Sequence, residues 1–211
     1  MKRGLFVTVE GTDGSGKTTQ IKLMEAYLIE KGFEVVLIRE PGGTRISEEI
    51  RSMILDPKNT EMGRITEMLL YASSRAQLVY QIIKPSIESG KIVICDRFVD
   101  SSYAYQGFGR GIDFKTIEAI NKAAIDGVEP NITFFFDIDP ETAIKRRIET
   151  TGADRIENEK IDFHIRVYDG YKELALLYSE RIKSIDSKKS IEDIGKDVRG
   201  HLDRLIESST L

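Results

Sequence analysis

Glu10-Gly11-Thr12-Asp13-Gly14-Ser15-Gly16-Lys17-Thr18-Thr19 is the stretch from which the rest of the chain can be read. Its spacing is a glycine, four residues, then Gly-Lys-Thr. Glycines in such a loop let backbone N–H groups turn inward around a polyphosphate, the lysine sets a charge at the outer phosphates, and the hydroxyl of Thr18 can ligate magnesium. The flanks agree with that use: Leu5-Phe6-Val7-Thr8-Val9 reads as a buried strand, and Ile21, Leu23, Met24, Tyr27 and Leu28 recur at helical spacing. Strand, glycine loop and helix together aim a helix N-terminus, with its partial positive charge, at an anion. Gly11 to Thr19 are therefore the candidate residues for holding a nucleoside triphosphate.

Outward from the loop, Lys31-Gly32 stops the first helix, and Glu34-Val35-Val36-Leu37-Ile38 predicts a second strand running into the turn-rich Arg39-Glu40-Pro41-Gly42-Gly43-Thr44. A short amphipathic segment carries Ile46, Ile50, Met53 and Ile54. Beyond it Ile65, Met68, Leu69, Ala72, Ala76, Val79 and Ile83 predict one long helix over 61–88. Ile92-Val93-Ile94-Cys95 is a third apolar run with Asp96-Arg97 at its carboxyl end. Phe98 to Ile112, rich in Tyr, Ser, Gly and Gln, is expected as surface or cleft material outside the core. Asp113 caps a helix through about Ile125, Asn131 to Phe136 form a fourth strand, and Asp139-Pro140 opens a helix through Ile148. Glu149 to Lys160 is polar and broken by Gly152, a candidate mobile segment. A helix over Ile161 to Leu177, a weak fifth strand over Arg181 to Asp186, and a last helix opened by Ser190-Ile191-Glu192-Asp193 complete the chain. Five strands alternating with helices predict a five-stranded parallel sheet with helices on both faces, in a single domain over 1–211.

The composition bounds the partners. With 31 basic against 35 acidic side chains the formal charge is −4, which argues against nonspecific nucleic-acid binding. Hydrophobic residues at 40% and no apolar stretch of membrane-spanning length point to a soluble, cytoplasmic protein without a membrane partner. A single cysteine, Cys95, excludes an internal disulfide and, inside an apolar strand, reads as a buried structural thiol.

In open parallel sheets ligands bind at the carboxyl ends of strands, where the glycine loop, Arg39-Glu40-Pro41 and Asp96-Arg97 all fall. An aspartate after four apolar strand residues is suited to hold magnesium opposite the Thr18 hydroxyl, so Thr18 and Asp96 are the candidate metal residues. The loop alone does not name a reaction. No Asn-Lys-x-Asp stretch is present, as a guanine-specific switch would need, and the size and acidity do not suit a nucleic-acid motor. Arginines in loops beside a polar, aromatic cleft instead suit a small phosphorylated acceptor.

Several stretches resemble the thymidylate kinases of bacteria and archaea: Glu10-Gly11-x-Asp13-Gly14-x-Gly16-Lys17-Thr18, Arg39-Glu40-Pro41-Gly42-Gly43-Thr44, Glu49-Ile50-Arg51, Tyr71-Ala72-Ser73-Ser74-Arg75, Asp96-Arg97-Phe98-x-Asp100-Ser101-Ser102-x-Ala104-Tyr105-Gln106-Gly107 and Asp154-Arg155-Ile156-Glu157. The resemblance covers nearly the whole chain and implies transfer of the γ-phosphoryl group of ATP to dTMP, with Mg2+, in dTTP synthesis. It implies that Arg75 and Gln106 hydrogen-bond the thymine edge, that Tyr71 stacks on the ring, that Arg97 meets the acceptor phosphate, that Arg39 and Arg51 lie in substrate-facing loops, and that Asp13 and Ser102 line the same site. From periodicity alone Tyr71 reads as a core residue of a helix face, and each arginine alone as a solvated charge.

The family places a catalytic arginine either in the phosphate loop or in a flexible lid. Position 14 is glycine, so the duty is expected in the lid, about 149–160, and at the end of the helix before it. There Arg146 matches a position that stacks on adenine, and Arg147 and Arg155 are the nearby arginines, giving Lys17, Arg97, Arg147 and Arg155 as the catalytic set. Arg147→Ala or Arg155→Ala is expected to lower turnover strongly while leaving dTMP affinity nearly unchanged. Related enzymes form homodimers through long helices. The 61–88 helix has apolar positions to spare, which a buried core face explains equally well. The alternatives are another pyrimidine nucleoside monophosphate kinase and a noncatalytic nucleotide-binding regulator on the same fold.

Overall fold

The computed structural model describes residues 3–147, Arg147 by its backbone alone, and residues 154–209. Five strands, β1 (Phe6–Glu10), β2 (Val35–Arg39), β3 (Ile92–Asp96), β4 (Ile132–Asp137) and β5 (Ile182–Asp186), pair in parallel in the order β2-β3-β1-β4-β5. Every residue of β1 is buried, because it is the central strand and both sheet faces are covered; this is why its sequence is a continuous apolar run rather than an alternation. Register places Val9 beside Asp96 of β3 and Phe134 of β4, so the loop after Glu10 and the pair Asp96-Arg97 emerge side by side.

One face of the sheet, carrying Val7, Val9, Ile94, Phe134 and Phe136, packs on α1 (Lys17–Glu30) and α9 (Ile191–Ser208). The other face carries Phe6, Val93 and Cys95, which meet Leu78, Val79, Ile83 and Phe98, while Phe135 meets Phe163, Val167 and Tyr171 of α8 (Ile161–Leu177). Cys95 is fully buried, and burial pushes its thiol well above the ordinary range, as befits a structural cysteine. The side chain of Ser190 accepts from the Asp193 N–H at 3.1 Å and caps α9, and Asp113 does the same for Thr116 at 3.1 Å to open α6 (Phe114–Ile125). No helix among the described residues is long and apolar enough to cross a membrane.

Two expectations are corrected. The helix expected over 61–88 begins at Arg64 and has three parts: α3 (Arg64–Leu78), a π-helical stretch Val79–Ile83, and α4 (Lys84–Glu88), whose Pro85 has no N–H to continue the ladder. Its buried face is Glu67, Met68, Ala72, Ser74, Arg75 and Leu78, whereas Ile65 and Leu69 are each 46% exposed. The segment expected as surface or cleft material outside the core is helical and partly core: α5 (Val99–Ser102) continues into a π-helical stretch Tyr103–Gly109, and Phe98 and Ala104 are fully buried in core clusters. It is held by α8, with which it interlocks. A Cβ on Gly109 would come within 2.6 Å of Phe163, and one on Gly170 within 2.5 Å of Phe108. The helices α2 (Arg45–Leu55) and α7 (Pro140–Arg147) complete the elements around the carboxyl edge of the sheet. Ile148, the expected end of the helix opened by Pro140, and residues 149–153 of the expected lid lie outside the described residues.

Candidate active site

The loop between β1 and α1 turns on glycines: Gly14 has φ 85° and Gly16, the N-cap of α1, has φ 89°, in the left-handed region that side chains disfavour. At Gly14 there is also no room. A Cβ would lie 2.1 Å from the carbonyl oxygen of Ala143 in α7, so α7 is seated on the loop at this residue. Lys17 donates from Nζ to the carbonyls of Gly11 (3.0 Å) and Thr12 (2.9 Å), and burial, with the charge of Arg97 nearby, lowers its pKa. Thr18 and Thr19 are exposed at the first turn of α1. The buried hydroxyls of Thr12 and Ser15 and the buried Oδ1 of Asp96 have no hydrogen-bond partner. Unpartnered polar atoms around a glycine-turned helix N-terminus, with a carboxylate at the next strand end, fit a polyphosphate and a hard cation.

Arg97 follows β3 at φ 68° and turns its side chain toward the loop. Its Nη2 donates to Asp13 Oδ1 at 2.7 Å, and its guanidinium lies over the ring of Tyr105, 5.3 Å from the centroid. Behind it Glu10, wholly buried, accepts from the Phe98 N–H (2.7 Å), the Ser101 hydroxyl (2.6 Å) and the Tyr171 hydroxyl (2.8 Å). Tyr171 also lies 3.4 Å from Arg97 Nη1. Burial, with the neighbouring charge of Asp100, raises the Glu10 carboxyl to about 7.

Asp13, Arg51, Tyr71, Arg75, Arg97, Ser102 and Gln106 line one cleft, open to solvent at its mouth. Arg51 lies partly buried with Nη1 on the Pro41 carbonyl at 3.0 Å. Burial pushes the Tyr71 phenol up. Arg39 does not join them: its guanidinium folds back onto the Pro41 carbonyl (2.8 Å) and Glu48 (3.0 Å), because α2 brings that carboxylate over the turn. Arg75 forms the cleft floor. It is 1% exposed, and its guanidinium meets Glu40, Ser102, Asn121 and the Phe98 carbonyl, so each of its nitrogens is already engaged by protein. Burial raises the Glu40 carboxyl to about 7 against the pull of Arg75.

Arg155 is the larger departure. Its Nε donates to the Ile54 carbonyl at 2.7 Å and its Nη2 lies 2.8 Å from Glu67, so it pins the end of the expected lid to α2 and α3 and does not reach toward a phosphoryl group. Glu67 is a hub. It also takes Arg110 at 2.9 Å and the amide Nε2 of Gln106 at 3.0 Å. Burial raises its pKa, but hydrogen bonds from Arg110, Gln106 and Arg155 outweigh that and hold it below the usual carboxylate range. Arg146, exposed near the end of α7, donates to the Ser187 carbonyl at 3.0 Å. Arg147 ends α7, and its side chain lies outside the described residues.

Three contributors escaped the sequence reading: Glu10 as an acceptor, Tyr171 and Glu67. Glu67 had a signal. It stands four residues before Tyr71 and eight before Arg75, hence on the same helical face as two substrate candidates. Tyr171 had none, since it meets Glu10 across 161 residues of chain.

Comparison with known proteins identifies the family. The family model described as Thymidylate kinase matches residues 9–198. A thymidylate kinase from Geobacillus sp. (strain WCH70) is 50% identical over 194 residues, covering 91% of this chain and 92% of that protein. One from Thermoanaerobacter sp. (strain X514) is 48% identical over 196 residues, covering 93% and 96%. The crystal structure of thymidylate kinase from Ehrlichia chaffeensis superposes with a TM-score of 0.78 at 37% identity, covering 95% of this chain and 99% of that one. This chain belongs to the thymidylate kinase family.

Proposed function

We propose that the chain phosphorylates dTMP to dTDP with ATP, the triphosphate lying along residues 11–19 and dTMP in the cleft beyond Arg97. The observation that carries this reading is the contact between Arg97 and Asp13, because it sets a phosphate-binding guanidinium from the acceptor cleft against the middle of the donor loop. Two phosphate sites sharing one wall is the arrangement that direct transfer requires, and a nucleotide-binding regulator has no use for the second.

In the reaction a phosphate oxygen of dTMP attacks the γ-phosphorus and the bond to ADP breaks. The protein aligns the two, excludes water and neutralises charge spread over the moving group. Lys17 leaves the Gly11 and Thr12 carbonyls for the donor phosphates, and Arg97 holds the acceptor phosphate by paired hydrogen bonds. Arg51 and Tyr71 close over the nucleoside while Ser102 and Gln106 face its base. Thr18 and Asp96 would hold Mg2+, which when bound offsets charge on the donor phosphates. Arg146 is placed at the adenine side. Gly14 has no space for a side chain, Arg155 is engaged by Glu67, and residues 148–153 contain no arginine, so Arg147 is the lid group assigned to the transferring phosphoryl.

Kinetics of single substitutions separate these roles. Lys17→Ala is expected to raise KM for ATP and Arg97→Ala to raise KM for dTMP, each with kcat down by about 10²-fold or more, as for removal of a charge-stabilising donor. Arg147→Ala should lower kcat with KM for dTMP nearly unchanged. An Arg97→Ala enzyme impaired only in ATP use would refute the assignment of the two sites.

The chain is also assigned a second copy of itself as partner. Ile65, Leu69 and Tyr80 are exposed at helical spacing along α3 and its continuation, and Ile46 and Met53 are exposed on the adjoining α2, an apolar surface of the kind that marks an interface.

A further inference from the structure

Gln106 lies in the π-helical stretch Tyr103–Gly109, lines the cleft, and is 2% exposed. Its Nε2 donates to Glu67 Oε1 at 3.0 Å. A carboxylate only accepts, so this bond settles which end of the amide is nitrogen and turns Oε1 away from Glu67. Glu67 cannot itself swing aside. It is 1% exposed, Arg110 Nε donates to the same oxygen at 3.1 Å, and the other oxygen accepts from Arg110 Nη2 at 2.9 Å and is ion-paired with Arg155 Nη2 at 2.8 Å.

The orientation of an amide decides which pyrimidine edge it fits. With its oxygen toward N3 and an N–H toward the 4-carbonyl, an amide pairs with an imide base, thymine or uracil. Turned over, it offers an N–H to N3 and its oxygen to a 4-amino group, which fits cytosine. Nε2 has two hydrogens: Glu67 takes one and leaves the other for a ligand.

We propose that Glu67 is a positioning residue for base selection, which by holding Gln106 Nε2 locks the amide in the orientation that accepts from an imide N3–H and so sets the site against cytosine nucleotides. This rests on the reading that the cleft takes dTMP. Glu67 touches no substrate atom in this role; it acts through Gln106.

The test is the ratio of kcat/KM for dTMP to that for dCMP. In Glu67→Gln a side-chain N–H can stand where a carboxylate oxygen now accepts, which frees Gln106 to turn over, and the ratio is expected to fall by about tenfold or more. Glu67→Asp keeps the charge for Arg110 and Arg155 but draws the carboxylate back from Gln106, and should lower the ratio as well, so at least one variant that folds by thermal melt is available. Arg166→Ala removes a neighbour that holds the same π-helical stretch through the Gly109 carbonyl while leaving Glu67, Arg110 and the Gln106 bond in place; it should lower Tm and leave the ratio within about twofold. A folded Glu67 variant with an unchanged ratio, or an equal fall in Arg166→Ala, overturns the proposal alone. A wild-type protein that does not phosphorylate dTMP overturns the underlying reading too.

Discussion

Gly14 illustrates how one residue without a side chain narrows the choice of another: the Ala143 carbonyl occupies the space a Cβ would take, so position 14 can contribute no side chain to the loop. Motif residues of this kind were legible because their chemistry is local. Lys17, Arg97, Tyr71, Ser102 and Gln106 all reach the loop or the cleft. Arg39 and Arg155 stand against Glu48 and Glu67, because a guanidinium goes to the nearest fixed carboxylate, and spacing cannot reveal where those carboxylates lie. Glu10 has a measurable signature. Its carboxyl is raised from 4.5 to about 7, so below about pH 4.5 it is protonated in both folded and unfolded chains, and as pH rises toward 7 the unfolded chain ionises first. Stability is therefore lost over that window, by at most about 3 kcal/mol. Glu10→Gln does not titrate, so the Tm of the wild type relative to this variant should fall between pH 4.5 and 7. A constant difference would mean that Glu10 is ionised throughout.

Among the elements, those with a clear period were read with ends shifted by one to three residues, as for β2 and the start of α3, while the break of the 61–88 helix after Leu78 left no mark on the apolar period. Phe98 to Ile112 was not, because glycines and tyrosines carry no helical period; the stretch is helical through its interlock with Phe163 and Gly170 of α8. For Ile65 and Leu69 the sequence leaves core and interface open, because the two kinds of face share one pattern; in the structure both are 46% exposed. The 154–160 segment is fixed at its end by Arg155, and this changes what the Arg155→Ala experiment should show. Losing the Ile54 and Glu67 contacts is expected to cost about 2 kcal/mol, as for charge-assisted hydrogen bonds. Tm should drop and KM for dTMP should rise with it, because Ile156 and Glu157 line the cleft. An unchanged Tm with a collapsed kcat would return Arg155 to the catalytic set.

For the whole molecule, the sheet order brings the loop after β1 and the Asp96-Arg97 pair after β3 together, because β1 lies between β3 and β4. Sequence predicted the parallel sheet; order and neighbours came from the structure. Tyr80 at 78% exposure, with Leu69 on the same helical run, predicts association of two chains. Light scattering should give twice the chain mass for the wild type and the single mass for Leu69→Arg, whereas a monomeric wild type would remove the second copy from the account. The most direct measurement is ATP consumption in a coupled assay with dTMP, dUMP, dCMP and dGMP offered one at a time with magnesium. dTMP is expected to give the highest kcat/KM, with dTDP as product. No turnover with any of the four, despite ATP binding, would contradict it and favour a nucleotide-binding regulator.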